Sequence, residues 1–224
     1  MCTVSFLKNN NQIIITSNRD EHNNRGQTIA PANYTGRECS ITYPKDEKGQ
    51  GTWIGFNSNN HMAVILNGAF SKHIQQPPYK HSRGLIIPYI LSYKNAVNAL
   101  EKMDLYGIEP FTIIIFQQET LYEYRWNGIH LNSKKDHSNQ IKLWNSVTLY
   151  SSAIETNNLN ELKQHLSITS TNKDVLNYHF KKLYQKQLPE HSVNNQIVTV
   201  SVTQLILNNN QVNIEYHDLL NKHQ

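Results

Sequence analysis

Long apolar runs are missing from this chain. Stretches such as Met62–Leu66 fall far short of the roughly 20 residues a bilayer-spanning helix needs, which argues against stable membrane insertion. Cysteine is scarce: Cys2 and Cys39 are the only two, too few for a disulfide framework. There is no concentrated block of charge. The net charge is +4, but Lys and Arg are scattered, and the densest group, Lys181, Lys182 and Lys186, fits the wet face of a helix. A nucleic-acid surface is therefore not expected. The residues after Met1 have neither the basic start nor the apolar core of a signal peptide, so the expected compartment is the cytoplasm. The 11 histidines show no ligand-like pairing, and no metal site or cofactor is expected.

What remains describes one globular α+β domain over residues 1–224, long enough to bury its own core. Hydrophobic residues make up only 38% of the chain, and they gather in short runs separated by Asn- and Gln-rich filler. Thr3–Leu7 and Gln12–Thr16 read as a hairpin about the asparagine cluster. If it folds about Asn10, Cys2 faces Asn18, with Asp20 diagonal to it and Val4, Phe6 and Ile14 on the same face. His22–Lys48 reads as a long irregular connection. Trp53–Phe56 with Met62–Asn67, and Phe111–Gln117 with Leu121–Trp126, form further hairpins. Met62–Leu66 is apolar throughout, as in a strand buried on both faces.

Helices are expected near Pro88, over Asn95–Leu105 and around Leu159, Leu162 and Leu166. Another opens at Thr171–Asp174, with Val175, Leu176, Phe180 and Leu183 as its apolar stripe. Ile141–Tyr150 is read as extended. Gln196–Leu207 and Val212–Tyr216, around Asn208–Asn210, make a last hairpin. Trp53, Trp126 and Trp144 are core aromatics. Strands, then helices, then strands again support an α+β class.

The chemistry concentrates in residues 1–21. Initiator methionine is trimmed when a small residue follows, so the mature chain would begin at Cys2. A thiol and a free α-amine would then share one residue. Their reference pKa values, about 8.5 and 7.7–8.0, let the amine accept the thiol proton near neutral pH. That joins nucleophile and general base covalently. Arg19 would favour the thiolate, and Asp20 would orient the amine. Asn67 ends an apolar strand at a glycine. It is either an oxyanion donor or a turn-forming Asn-Gly residue.

Cys2, the run Asn18-Arg19-Asp20-Glu21, Gly51-Thr52-Trp53-Ile54-Gly55 and Leu66-Asn67 together resemble the NRDE family, the relatives of transport-and-Golgi-organisation protein 2. Ser82-Arg83-Gly84, the Trp144–Ser152 stretch and Thr199-Val200-Ser201 extend the likeness over nearly the whole chain. That family is similar to the cysteine branch of N-terminal nucleophile hydrolases, such as choloylglycine hydrolases and penicillin V acylases. The resemblance implies a four-layer αββα sandwich, with Cys2 as nucleophile, Asp20 holding the amine and Asn67 in an oxyanion hole. Asn18, Glu21, Ser152 and Arg83 are further candidates for supporting the site or meeting substrate.

The sequence departs from those hydrolases twice. Arg19 follows the asparagine where theirs precedes it, and Ser152 stands where a second catalytic asparagine is expected. The resemblance supports hydrolysis or transfer of an acyl group from a small amide or thioester. The other reading is a non-catalytic carrier of an apolar ligand such as a lipid, acyl-CoA or haem.

Overall fold

The computed structural model describes residues 2–9, 12–22, 27–137, 141–184 and 197–220. The chain divides into two units, Met1–Arg25 with Ser138–Gln224 and, inserted between them, Gly26–His137.

The first unit carries a five-stranded antiparallel sheet in the order β10-β1-β2-β11-β12. Its strands are β1 (Cys2–Lys8), β2 (Gln12–His22), β10 (Ile141–Asn145), β11 (Ile197–Asn208) and β12 (Gln211–Asp218). Two helices accompany it, α3 (Ser152–His165) and α4 (Asn172–Tyr184). Helix α4 opens with the expected cap: the Thr171 amide donates to the Asp174 carboxylate at 2.7 Å, and the Asp174 amide donates to Thr171 Oγ1 at 3.4 Å. Leu7, Ile14 and Leu143 from the sheet pack with Leu162, Leu166, Val175 and Tyr178 from and beside the helices.

The first hairpin corrects the expected register. Lys8 pairs with Ile13, so Cys2 faces Arg19 and Thr3 faces Asn18. The cause is the turn. The Asn9 amide donates to the Gln12 carbonyl at 3.1 Å, and the Gln12 amide donates to Asn9 Oδ1 at 2.9 Å, so two residues and not one separate the closing pair. A one-residue shift exchanges the faces of a strand. Arg19, Ser17 and Ile15 therefore share the register rows of Cys2, Val4 and Phe6, while Asn18, Thr16 and Ile14 belong with Thr3, Ser5 and Leu7 on the helix-packed face; by the same alternation Asp20 follows Asn18 and is not diagonal to Cys2 on its face.

The second unit carries a seven-stranded antiparallel sheet, β3 to β9 in sequence order. Its strands are β3 (Thr28–Thr35), β4 (Ser40–Asp46), β5 (Ile54–Asn57), β6 (Met62–Asn67), β7 (Phe111–Gln117), β8 (Thr120–Trp126) and β9 (Leu131–Asp136). Short helices α1 (Ile86–Leu91) and α2 (Ala96–Glu101) pack on its central strands. The residues expected to be irregular, His22–Lys48, include β3 and β4. Strand β3 is largely exposed, and stacking of Tyr34 on Tyr43 at 4.3 Å helps hold the pair. Such an edge carries no buried alternation to read. Strand β9 is similarly polar and was not expected. Ile141–Tyr150 is a strand only to Asn145, after which the chain turns towards α3.

Two motifs of the second unit explain each other. The Thr52 amide donates to the Gly84 carbonyl at 2.9 Å, and a Cβ on Gly51 would lie 2.4 Å from the Gly84 carbonyl carbon. Gly51-Thr52 and Arg83-Gly84 are thus a backbone-on-backbone contact with no room for a side chain.

Candidate active site

Strands β1 and β2 bring the sequence-predicted N-terminal residues together. Cys2 stands opposite Arg19 in register. Arg19 and Asp20 are buried, and Arg19 Nη2 lies 3.9 Å from Glu21 Oε1.

Asp20 is held by two residues far along the chain. Thr199 Oγ1 donates to its Oδ1 at 2.6 Å, and Tyr150 OH donates to its Oδ2 at 3.4 Å. Thr199 reaches it because β11 bulges: Thr199 pairs with Asp20 and Ser201 with Arg19, leaving Val200 as an extra residue. Burial pushes the Asp20 carboxyl up to about 6, against the lowering effects of Thr199, the positive chain terminus and Tyr150; neighbouring Glu21 adds to the rise. A carboxyl in this state gains most from an ammonium beside it.

Asn18 belongs to a buried chain on the helix-packed face. Its Oδ1 lies 2.6 Å from His179 Nδ1, and His179 Nε2 lies 2.7 Å from Ser5 Oγ. The Asn18 amide group points to the His179 carbonyl at 3.5 Å, so Oδ1 is the acceptor and Nδ1 carries the proton. Ser5 then donates to Nε2. Burial drives the His179 pKa down to about 3, keeping the ring neutral. This chain ties the signature strand to α4, and neither Ser5 nor His179 was singled out by sequence reasoning. A neutral histidine 161 residues from its partner leaves no local signal.

Ser152 occupies the first turn of α3, exposed, after Ser151 has capped the helix by accepting from the Ile154 amide at 3.4 Å. A buried asparagine does stand nearby in sequence. Asn145 ends β10, opposite Thr3 of β1, and both polar atoms of its side chain are buried without a protein partner. The signal for it lay within the Trp144–Ser152 stretch but seven residues before Ser152.

Asn67 and Arg83 belong to the second unit. Asn67 ends β6 opposite Phe111, and Gly68 follows with φ +83°. The Gly68 amide and Arg83 Nη1 both donate to the Pro110 carbonyl, at 2.9 and 3.1 Å. Arg83 also pairs with Glu109 at 3.0 Å. Asn67 is thus at a strand end whose following turn is fixed by hydrogen bonds, and Arg83 is committed to an acid and a carbonyl.

Among the described residues no group of three or more His, Cys, Asp and Glu could hold a metal ion. Among them, too, no helix is long and apolar enough to cross a membrane.

Solved structures with this architecture define the class. The chain is similar to a Caenorhabditis elegans N-acylethanolamine-hydrolyzing acid amidase ortholog, with TM-score 0.59 and 14% identity over 91% of this chain and 92% of that one. It is also similar to the C2A mutant of the conjugated bile acid hydrolase from Clostridium perfringens, with TM-score 0.56 and 8% identity over 99% and 93% of the two chains. The fold is the α+β fold of N-terminal nucleophile hydrolases. Within it, residues 1–221 match the Transport and Golgi organisation 2 family, and the chain belongs to that family. No curated protein sequence matches it.

Proposed function

We propose that this protein is a cysteine N-terminal nucleophile hydrolase that cleaves a small amide or acyl thioester. The observation that carries the reading is the β1–β2 register, which sets Cys2 opposite buried Arg19, the residue before a buried Asp20 held by Thr199 and Tyr150. The named activities of the two structural neighbours, on N-acylethanolamines and conjugated bile acids, agree with acyl chemistry on small molecules.

Removal of Met1 exposes the α-amine of Cys2, and ionised Asp20 orients it. The amine takes the thiol proton as sulfur attacks the substrate carbonyl, forming a C–S bond and a tetrahedral oxyanion. The family resemblance assigns the donor to that oxyanion to Asn67. The amine then protonates the leaving nitrogen or sulfur as its bond to carbon breaks. Water attacks the resulting thioester by the same proton route, releasing the acid and restoring the thiol. Asn145, with its buried amide atoms unengaged by protein, fits the second asparagine of the resemblance better than exposed Ser152. On that assignment the departure at Ser152 would not by itself favour a pure carrier.

The deciding experiment incubates the purified protein with N-acylethanolamines and acyl-CoA thioesters and follows product together with intact mass. Product release with transient acylation of the peptide beginning at Cys2, both abolished in Cys2→Ala, is the expected outcome. Saturable binding with neither acylation nor product would establish a carrier.

A further inference from the structure

Four large apolar side chains stand far out from one end of the seven-stranded sheet. Ile74 is 87% exposed, Tyr106 82%, Ile129 75% and Phe70 58%, the highest values for large apolar residues among those described. They lie on three connections: the segment after β6, the turn before β7 and the turn between β8 and β9. All three meet around Glu109 and Pro110. The Gly68 amide donates to the Pro110 carbonyl, the Lys80 amide donates to the Gly107 carbonyl at 2.8 Å, and a Cβ on Gly128 would lie 3.9 Å from Pro110 Cγ.

These tips are held in place. On either side of Ile74, His73 Nε2 lies 3.0 Å from Glu109 Oε1, and Gln75 Nε2 donates to the same oxygen at 3.3 Å. The Tyr106 amide donates to Asp104 Oδ1 at 3.0 Å, and the Ile129 amide to Asn127 Oδ1 at 2.9 Å. The Arg125 guanidinium sits 5.5 Å from the centre of the Phe70 ring. Hydrogen-bonded turns that aim neighbouring apolar side chains at water mark a surface that something covers.

We propose that this end of the second unit docks on a phospholipid bilayer, its four apolar tips entering the headgroup–acyl boundary. Side chains this exposed, on separate turns, do not make the close-packed patch at the core of a protein interface. Lipid buries each of them without a matching surface, and Tyr and Phe suit the interfacial zone. The charge fits as well. Over residues 68–83, 104–110 and 123–130 every acid is matched: Glu109 with Arg83 at 3.0 Å, Asp104 with Lys80 at 2.7 Å, Glu123 with Arg125 at 2.6 Å. Exposed Lys72, two residues before Ile74, is a fourth cation against those three acids. Anionic headgroups would thus meet no unmatched carboxylate. The docking is peripheral, since among the described residues no helix can cross a membrane. It does not depend on the reading of Cys2, and through Gly68 it brings the end of β6 to the lipid side.

Co-sedimentation of the full chain with phosphatidylcholine vesicles, with and without phosphatidylserine, tests it. The parent should pellet with both. Phosphatidylserine should strengthen binding about fivefold, a preference that Lys72→Gln removes. Ile74→Ser with Ile129→Ser should lower the partition coefficient by about tenfold or more. Ile168→Ser with Leu220→Ser, exposed apolar residues of the first unit, should leave it unchanged. All four positions are exposed, so melting temperatures should hold in both pairs. A parent that stays in the supernatant overturns the proposal, as does binding that survives the first pair or falls equally in the second. So does a vesicle-free parent that sediments as a dimer and becomes monomeric on Ile74→Ser with Ile129→Ser, because the cover would then be a second copy.

Discussion

Thr199 donates to Asp20 at 2.6 Å because one residue, Val200, is extra in β11. Without the bulge, Thr199 would pair with Glu21, on the face of Ser201 and Thr203, and Asp20 would lose its shorter hydrogen bond. A local defect in one strand thus sets the acid of the signature on another.

Asp20 should govern the acid limb of activity. Its folded pKa of about 6 lies above the ordinary 3.8, so its contribution to stability is full below 3.8 and lost as pH rises through 6. At pH 7 the buried charge costs on the order of 3 kcal/mol. Asp20→Asn should therefore abolish turnover yet raise the unfolding free energy above pH 6. Thr199→Val removes a lowering influence and should move the acid limb to higher pH. Urea titrations and a pH–rate profile check both, and an unmoved limb would detach Asp20 from the reaction.

His179 works in the opposite sense. Its folded pKa, near 3, lies below the ordinary 6.5, so its stabilising effect is present above 6.5 and lost as pH falls from there towards 3. Between about pH 6 and 4 this loss and the relief at Asp20 offset each other. In Asp20→Asn the acid instability should emerge undisguised. His179→Ala should cost roughly 2–4 kcal/mol at pH 7, by orphaning Asn18 and Ser5 and leaving a cavity. Chemical denaturation of the two variants at pH 7 and pH 4 measures each term.

Asn67→Ala should reduce kcat by about 10²–10³-fold, the usual effect of removing an oxyanion donor, with melting temperature nearly unchanged. A large fall in melting temperature with kcat preserved would identify a turn residue.

Asn145→Leu should behave in the same way for turnover while leaving stability equal or higher, since the side chain it replaces has buried polar atoms with no protein partner. Ser152→Ala, on the exposed first turn of α3, should change neither. Equal losses of activity in the two would return the role to the serine.

A variant that retains a residue ahead of Cys2 turns the amine into an amide. Acyl transfer should then fall by about the 10²–10⁴-fold attributed to a general base, with apolar ligand binding little affected. Intact mass establishes the extension, and full activity in the extended protein would refute the amine as base.

The sequence alone determined much of the local structure. The strand runs, the capping box at Thr171–Asp174 and the tight turns at Gln118-Glu119 and Asn209-Asn210, whose φ values are all positive, depend on residues close together in the chain. It also placed Cys2, Arg19 and Asp20 on one hairpin. Tertiary structure decided what depends on parity or on distant partners. The Asn9–Gln12 closure put Arg19, and not Asn18, opposite Cys2. Strand β3 exists because β4 pairs with it, since its own exposed pattern is silent. The partners of Asn18 and Asp20 lie 161 and 179 residues away, on a helix and a bulged strand that composition cannot bring to them. Asn145 is buried because β10 runs beside β1, whereas the chain leaves the sheet before Ser152 is reached, and that burial is why Asn145 is the residue proposed.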